Sequence, residues 1–367
     1  MRANRFIFAG IIGIGLFLGL APLTRAAEEK VLNVYNWSDY ITEDVLATFS
    51  QRTGIKVNYD VYDSNDILDA KLLAGRSGYD LVFPSATPYF AKQIKAGALR
   101  PLDRAKIANW RQLDAETMNR LKAADPNNGY GVPYLMAGTG IGYNLAKVRA
   151  VMPDAPIGSL AMVFDPAVVS KLASCGVVVL DAAEEVFPAA LAWSGRDPRS
   201  TSDDDLKRAA DVLSTVRKHY RYLHSSTYIN DLANGSICVA MGYAGDLVQA
   251  RKRATEAGQG VEIDIFLPRE GAVFNIDVMA IPKDAPHPEN AHLFINYLLE
   301  PVVIAKITNA VGYANAVPAS RQFVEPAVRN DKVIFPPPDA KLYSVPVATD
   351  AFERARNRTW SRVRTSR

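Results

Sequence analysis

Short apolar segments along the chain alternate with stretches of helical spacing. "VLNVYNWS" (31–38) reads as a strand. "TEDVLATFSQRTG" (42–54) reads as a helix with Thr42 as an N-cap candidate, acids in its first turn and Gly54 as its stop. "IKVNYDVYD" alternates apolar and polar positions, "SNDILDAKLLAG" has helical spacing, and "YDLVFPS" is a short buried strand. This βαβαβ succession predicts a mostly parallel sheet. A second series follows, with strands in "CGVVVLD" and "SICVAMG" and helices in "AAEEVFPAALAWSG" and "AGDLVQARKRATEAG". "VEIDIFLPREGAVFNIDVMAIP" predicts two strands joined around residues 269–271 as an antiparallel addition, and "PENAHLFINYLLEP" returns to helix.

The first residues change what the rest must be. Arg2 and Arg5 precede an apolar run of 16 residues from Phe6 to Ala21, and small residues at Thr24 and Ala26 follow it. This is the pattern of a secretory signal peptide over 1–26, cleaved near Ala26, and the run is shorter than the roughly 20 residues that span a bilayer comfortably. The expected mature protein is soluble and outside the cytoplasm. Of the 42 Lys and Arg side chains, Arg2, Arg5 and Arg25 fall in the leader, which leaves as many basic side chains as the 39 acidic ones. That balance gives no basic face for nucleic acid. Some 340 mature residues exceed what one core usually organises, so two domains are expected, joined by ordered crossings rather than by a Gly/Ser linker. Cys175 and Cys238 are the only cysteines, each at the start of a predicted strand. In an oxidising compartment they predict a disulfide, with two buried thiols as the alternative.

Ligands of open α/β sheets bind beyond the carboxyl ends of the strands. Trp37, Ser38 and Asp39 follow the first strand, Ser85 follows "YDLVFP", Glu185 lies just past "VVVLD", and Tyr243 and Asp246 follow "CVAMG". Asp277 interrupts the apolar strand "FNIDVMAIP", where a carboxylate needs a cation or several hydrogen bonds. These segments contain no Lys, Arg or His, so if the four carboxylates converge, the positive charge has to come from a ligand. The alternative is that Asp39 and Asp246 cap helices, Glu185 is solvated and Asp277 takes backbone hydrogen bonds.

Catalysis finds little support. His219, His224, His287 and His292 have no HExxH spacing, and neither a GxSxG elbow nor a P-loop glycine pattern is present. "HSS" at 224–226 places adjacent residues that rarely face one another, and a carboxylate-dependent hydrolase is the remaining enzyme alternative. No catalytic residue, metal ligand or cofactor is expected.

Taken together, "YNWSDYI", "YDLVFPSA", "TGIGYN", "LDAAEEVF", "YINDLANGSICVAMGYAGD" and "GYANAV" resemble the putrescine- and spermidine-binding proteins of bacterial ABC importers, most nearly their putrescine-binding branch. The similarity runs over essentially the whole mature chain. It implies a two-lobe periplasmic solute-binding fold (type II), each lobe a mostly parallel sheet flanked by helices, with the ligand in the cleft between them. The expected division is 27–134 with 257–305 for lobe one and 135–256 with 306–367 for lobe two. By position, Trp37 and Tyr313 are implied as aromatic walls, and Ser38, Asp39, Ser85, Glu185, Ser226, Asp246 and Asp277 as polar contacts. Such a box suits a protonated diamine, with carboxylates at the poles and ring faces along the apolar middle. The implied partners are putrescine or a related amine (agmatine, cadaverine or spermidine) and an inner-membrane ABC permease, with the protein a monomer. A role as the loaded partner of a sensor uses the same pocket.

Two positions depart from the family pattern. Tyr243 stands where the putrescine-binding branch has Trp, and Asn275 stands where an aromatic residue precedes the strand aspartate by two. The first adds a hydroxyl that needs a partner, and the second exchanges apolar surface for an amide.

Overall fold

The computed structural model describes residue 1 and residues 28–366, so the leader expected over 1–26 lies, apart from its first residue, outside the described residues. The chain carries eleven described strands: β1 (Val31–Trp37), β2 (Lys56–Tyr62), β3 (Leu81–Val82), β4 (Gly131–Asn144), β5 (Val177–Val179), β6 (Tyr220–Leu223), β7 (Val239–Tyr243), β8 (Ile263–Phe266), β9 (Ala272–Ala280), β10 (Ala314–Asn315) and β11 (Leu342–Tyr343). They pair in the order β2-β1-β3-β9-β4-β7-β5-β6, with β8 and β10 on β4 and β11 on β9.

The alternating series predicted from the sequence forms the parallel parts of this sheet. β1 pairs in parallel with β2 and β3, and β5 with β6 and β7. The first helix, Glu43–Thr53, follows Thr42 and stops at Gly54, whose φ of 71° is left-handed. Ser64 caps Asn65–Leu73 by accepting a hydrogen bond from the Ile67 amide. The helix Ala183–Trp193 continues through Pro188, and Ala244–Ala257 follows β7 directly.

β4 joins the two halves. Its residues 131–138 pair with β9 and its residues 139–144 with β7 and β8, so one 14-residue strand runs from one half-sheet into the other. Pattern reading missed it because Gly138, Gly140 and Gly142 interrupt its alternation. At Gly142 a Cβ would lie 2.8 Å from Leu247 Cδ2 and 3.0 Å from Leu232 Cδ2, so the bare backbone there serves the packing of lobe two.

Two apolar clusters cover the faces of the first half-sheet, one around Leu32, Phe83, Tyr134 and Phe294 and the other around Tyr62, Phe90 and Val278. A third fills the second lobe around Val178, Phe164 and Met241. Cys175 and Cys238 are disulfide-bonded, with Cα atoms 5.4 Å apart, and tie the turn before β5 to its neighbour β7.

The crossings differ from the expected division at two places. β8 pairs with β4 at 141–144, and its Ile263 and Ile265 belong to the cluster that fills the second lobe, so the return to lobe one comes after β8 rather than at 257. The helix Pro301–Val311 buries Ile304, Ile307 and Val311 in lobe one, together with Tyr313 and Val317, so that lobe continues beyond 305. An amphipathic helix with one buried stripe cannot be divided between two cores. Nor does the turn at 269–271 fold β8 onto β9, since both strands lie antiparallel to β4, one on each half.

Candidate ligand site

A cavity between the half-sheets is lined by Trp37, Ser38, Ser85, Ser226, Tyr243, Asp246, Asn275, Asp277 and Tyr313, nine of the eleven residues expected from the sequence. Tyr40, Tyr62, Asp63, Ser225 and Ile229 complete the lining. Not one of these side chains is a Lys, Arg or His.

The strand ends hold this lining in place. Trp37 closes β1, and its indole N–H donates to the Phe83 carbonyl at 2.8 Å, which fixes the ring as a wall. Tyr62, the last residue of β2, donates to the same carbonyl at 2.7 Å and lies 4.8 Å from the Trp37 ring. Tyr243 approaches Trp37 edge-on at 6.3 Å, so a ring occupies the position of the expected aromatic wall.

Asp277 accepts from Tyr40 Oη at 2.6 Å and from Ser85 Oγ at 2.6 Å. Ser85 is itself oriented by Asn65, whose Nδ2 donates to Ser85 Oγ and whose Oδ1 accepts from the Ser85 amide, both at 3.1 Å. Burial pushes the Asp277 carboxyl up to about 6 against the pull of these two hydroxyls. Asp246, 8 % exposed in the first turn of Ala244–Ala257, accepts from Tyr228 Oη at 2.8 Å and from Tyr313 Oη at 2.7 Å. Burial likewise raises it to about 6, with Asp39 adding to the shift and Tyr313, Tyr228 and Arg253 opposing it. Hydroxyl donors steady each anion, but no cation in the lining neutralises it.

Two glycines make room for the donors of Asp246. A Cβ on Gly245 would sit 2.0 Å from Tyr313 Cε2, and one on Gly242 would sit 2.4 Å from Tyr228 Cε2. The stretch "GYAG" before Asp246 therefore admits both rings as well as turning the chain from strand into helix.

Asp39 and Glu185 do not line the cavity. Asp39 has a φ of 54°, and this left-handed turn sends its carboxylate to Arg253 at 2.9 Å, across to the helix of the other lobe. Gln249 adds a bond to the Asp39 carbonyl. Glu185, 1 % exposed, accepts from Thr139 and from the Asn275 amide, and burial foremost raises it to about 8. Ser226 lines the wall with its amide donating to His224 Nδ1 at 3.1 Å. The alternative of capping and backbone bonding fails for Asp246 and Asp277, whose partners are side-chain hydroxyls. Among the lining residues that sequence reasoning missed, Tyr40 carried a signal: it lies in the same turn as Trp37 and Asp39, but its burial depends on Tyr134 and Tyr313, at ring distances of 5.5 and 4.8 Å.

Among the described residues, no group of three or more His, Cys, Asp or Glu side chains is arranged to hold a metal ion, and no single helix is long and apolar enough to cross a membrane.

Comparison with known proteins agrees with this arrangement. Residues 44–336 match the family model of bacterial extracellular solute-binding proteins. The chain is 46 % identical to the putrescine-binding periplasmic protein PotF of Escherichia coli strain K12, with 99 % of each chain covered. It is 45 % identical to the putrescine-binding periplasmic protein SpuD of Pseudomonas aeruginosa, covering 97 % of this chain and 98 % of that one. A solved structure from Listeria monocytogenes, described as a spermidine/putrescine ABC transporter, superposes with a TM-score of 0.82 at 26 % identity over 92 % of this chain and 100 % of its own. With its fold, its interlobe cavity and these relatives in agreement, the chain belongs to the bacterial extracellular solute-binding protein family.

Proposed function

We propose that this protein binds putrescine in the periplasm and delivers it to an inner-membrane ABC permease, without catalysing a reaction. One observation carries the reading: Asp246 and Asp277 face a cavity whose lining contains no basic side chain. A diamine with two ammonium groups supplies the missing charge, and Trp37, Tyr243 and Tyr313 offer ring faces to its methylene chain and its cations. Relatives that bind putrescine by name support the choice among amines.

Binding and closure belong together in this reading. Tyr313 of lobe one donates to Asp246 of lobe two, and Asp39 of lobe one pairs with Arg253 of lobe two. A ligand that touches both lobes favours the closed arrangement by the difference in its affinity for the two states.

A thermal-shift panel of putrescine, cadaverine, agmatine, spermidine and basic amino acids, with neutral controls, tests the assignment. A ligand that binds the native state raises the melting temperature with its concentration. Putrescine is expected to raise it at the lowest concentration, and no response to any amine would remove the reading.

A further inference from the structure

Asn275 stands between the cavity and Glu185. Its amide Nδ2 donates to Glu185 Oε1, while Thr139 donates to Oε2, so both oxygens of the acid are taken up by the protein. Asn275 lines the cavity and Glu185 does not. The contact also spans the lobes, since Glu185 lies on the helix Ala183–Trp193 and Asn275 on β9 beside the first half of β4. One N–H of Nδ2 goes to the acid, which leaves the carbonyl Oδ1 and the second N–H for the cavity; toward a cation Oδ1 is the contact available, and it is a neutral acceptor.

We propose that Asn275 is a specificity-determining residue that screens Glu185 from the ligand, so that this end of the box offers a ligand an amide oxygen in place of a carboxylate. The proposal rests on the cationic-amine reading above and specifies which nearby acid that site withholds from a ligand. Burial raises the screened acid to about 8, against the pull of the Thr139 and Asn275 donors, and leaves it largely neutral at pH 7. Asp246 and Asp277, with Asp63 also in the lining, then suffice for a diamine. Removing the amide uncovers Glu185 and recruits a further carboxylate, which favours an amine with a third charge.

The test is a calorimetric double-mutant cycle with putrescine and spermidine on the full mature protein. In the wild type, Glu185→Gln is expected to change putrescine affinity less than about 3-fold, because a neutral, covered acid is replaced by its isostere. Asn275→Ala is expected to shift preference toward spermidine by at least roughly 10-fold, and Glu185→Gln in that background to abolish the shift. Asn275→Ser, also too short to reach the acid, is the second variant should Asn275→Ala not fold. A wild-type Glu185→Gln loss as large as that of Asp277→Asn overturns the screen, as does a spermidine shift that survives Glu185→Gln.

A readout without ligand separates this proposal from the amine reading. The part of the infrared band of protonated carboxyls in the empty protein at pH 7 that belongs to Glu185, beside that of Glu184, should vanish in Glu185→Gln and move in Asn275→Ala. An unmoved band overturns the screen whatever the protein binds, whereas failure of every amine in the wild type overturns only the functional assignment.

Discussion

Asp277 sits among Ser85, Tyr40 and the cavity, and two hydroxyls do not repay the removal of a carboxylate from water. This sets the sign of the protein's response to pH. Asp277 and Asp246 rise from the ordinary 3.8 to about 6 when the empty protein folds. Between those values the folded chain holds protons that the unfolded chain has released, so stability is fully present below about pH 4 and is lost as pH rises through about 6. Glu184 and Glu185, raised to about 7 and about 8, extend the same trend upward. A cation in the box opposes it. The rise in melting temperature caused by saturating putrescine is therefore expected to be larger at about pH 7.5 than at about pH 5, and scanning calorimetry at the two pH values checks this. Asp277 was legible in the sequence because a carboxylate inside an apolar strand is costly wherever it occurs. The fates of Asp39 and Glu185 were not, because their partners Arg253 and Asn275 lie far along the chain and meet them only when the two lobes come together.

At the scale of elements, the turn from β7 into Ala244–Ala257 depends on what it omits. Tyr313 occupies the space where a Gly245 side chain would begin. Gly245→Ala is expected to push the ring out, break its bond to Asp246 and weaken putrescine binding by roughly 10-fold or more, the cost of a lost hydrogen bond to a charged group. Titration calorimetry measures the loss, and affinity unchanged from wild type would show that Tyr313 is not a wall of the site. Most elements could be read from hydrophobic periodicity, among them β1, β2, β5, β7 and the helices that follow them. β4 could not, since its glycines serve close packing between neighbours that only the fold supplies. The crossings were misplaced for a related reason: β8 contains no local signal of which half of β4 it will join.

At the scale of the whole molecule, the disulfide lies wholly in lobe two, and its partners are 63 residues apart in sequence. In a chain-entropy account a loop of that length is worth about 4 kcal/mol, so Cys175→Ala with Cys238→Ala is expected to lower unfolding stability by roughly 2 to 5 kcal/mol. Because the bridge lies away from the cavity lining, putrescine affinity of the folded protein should change little. Denaturant unfolding together with titration checks both halves of this expectation. The proposed function requires a cation held by buried carboxylates between the two lobes. Titration of putrescine into the wild type and Asp277→Asn tests it most directly, since the substitution keeps shape and hydrogen-bonding reach while deleting the charge. The variant is expected to fold with an undiminished melting temperature and to lose about 30-fold to several thousand-fold in affinity, the range for breaking a buried charge pair. An Asp277→Asn protein that binds putrescine as tightly as the wild type would contradict the account.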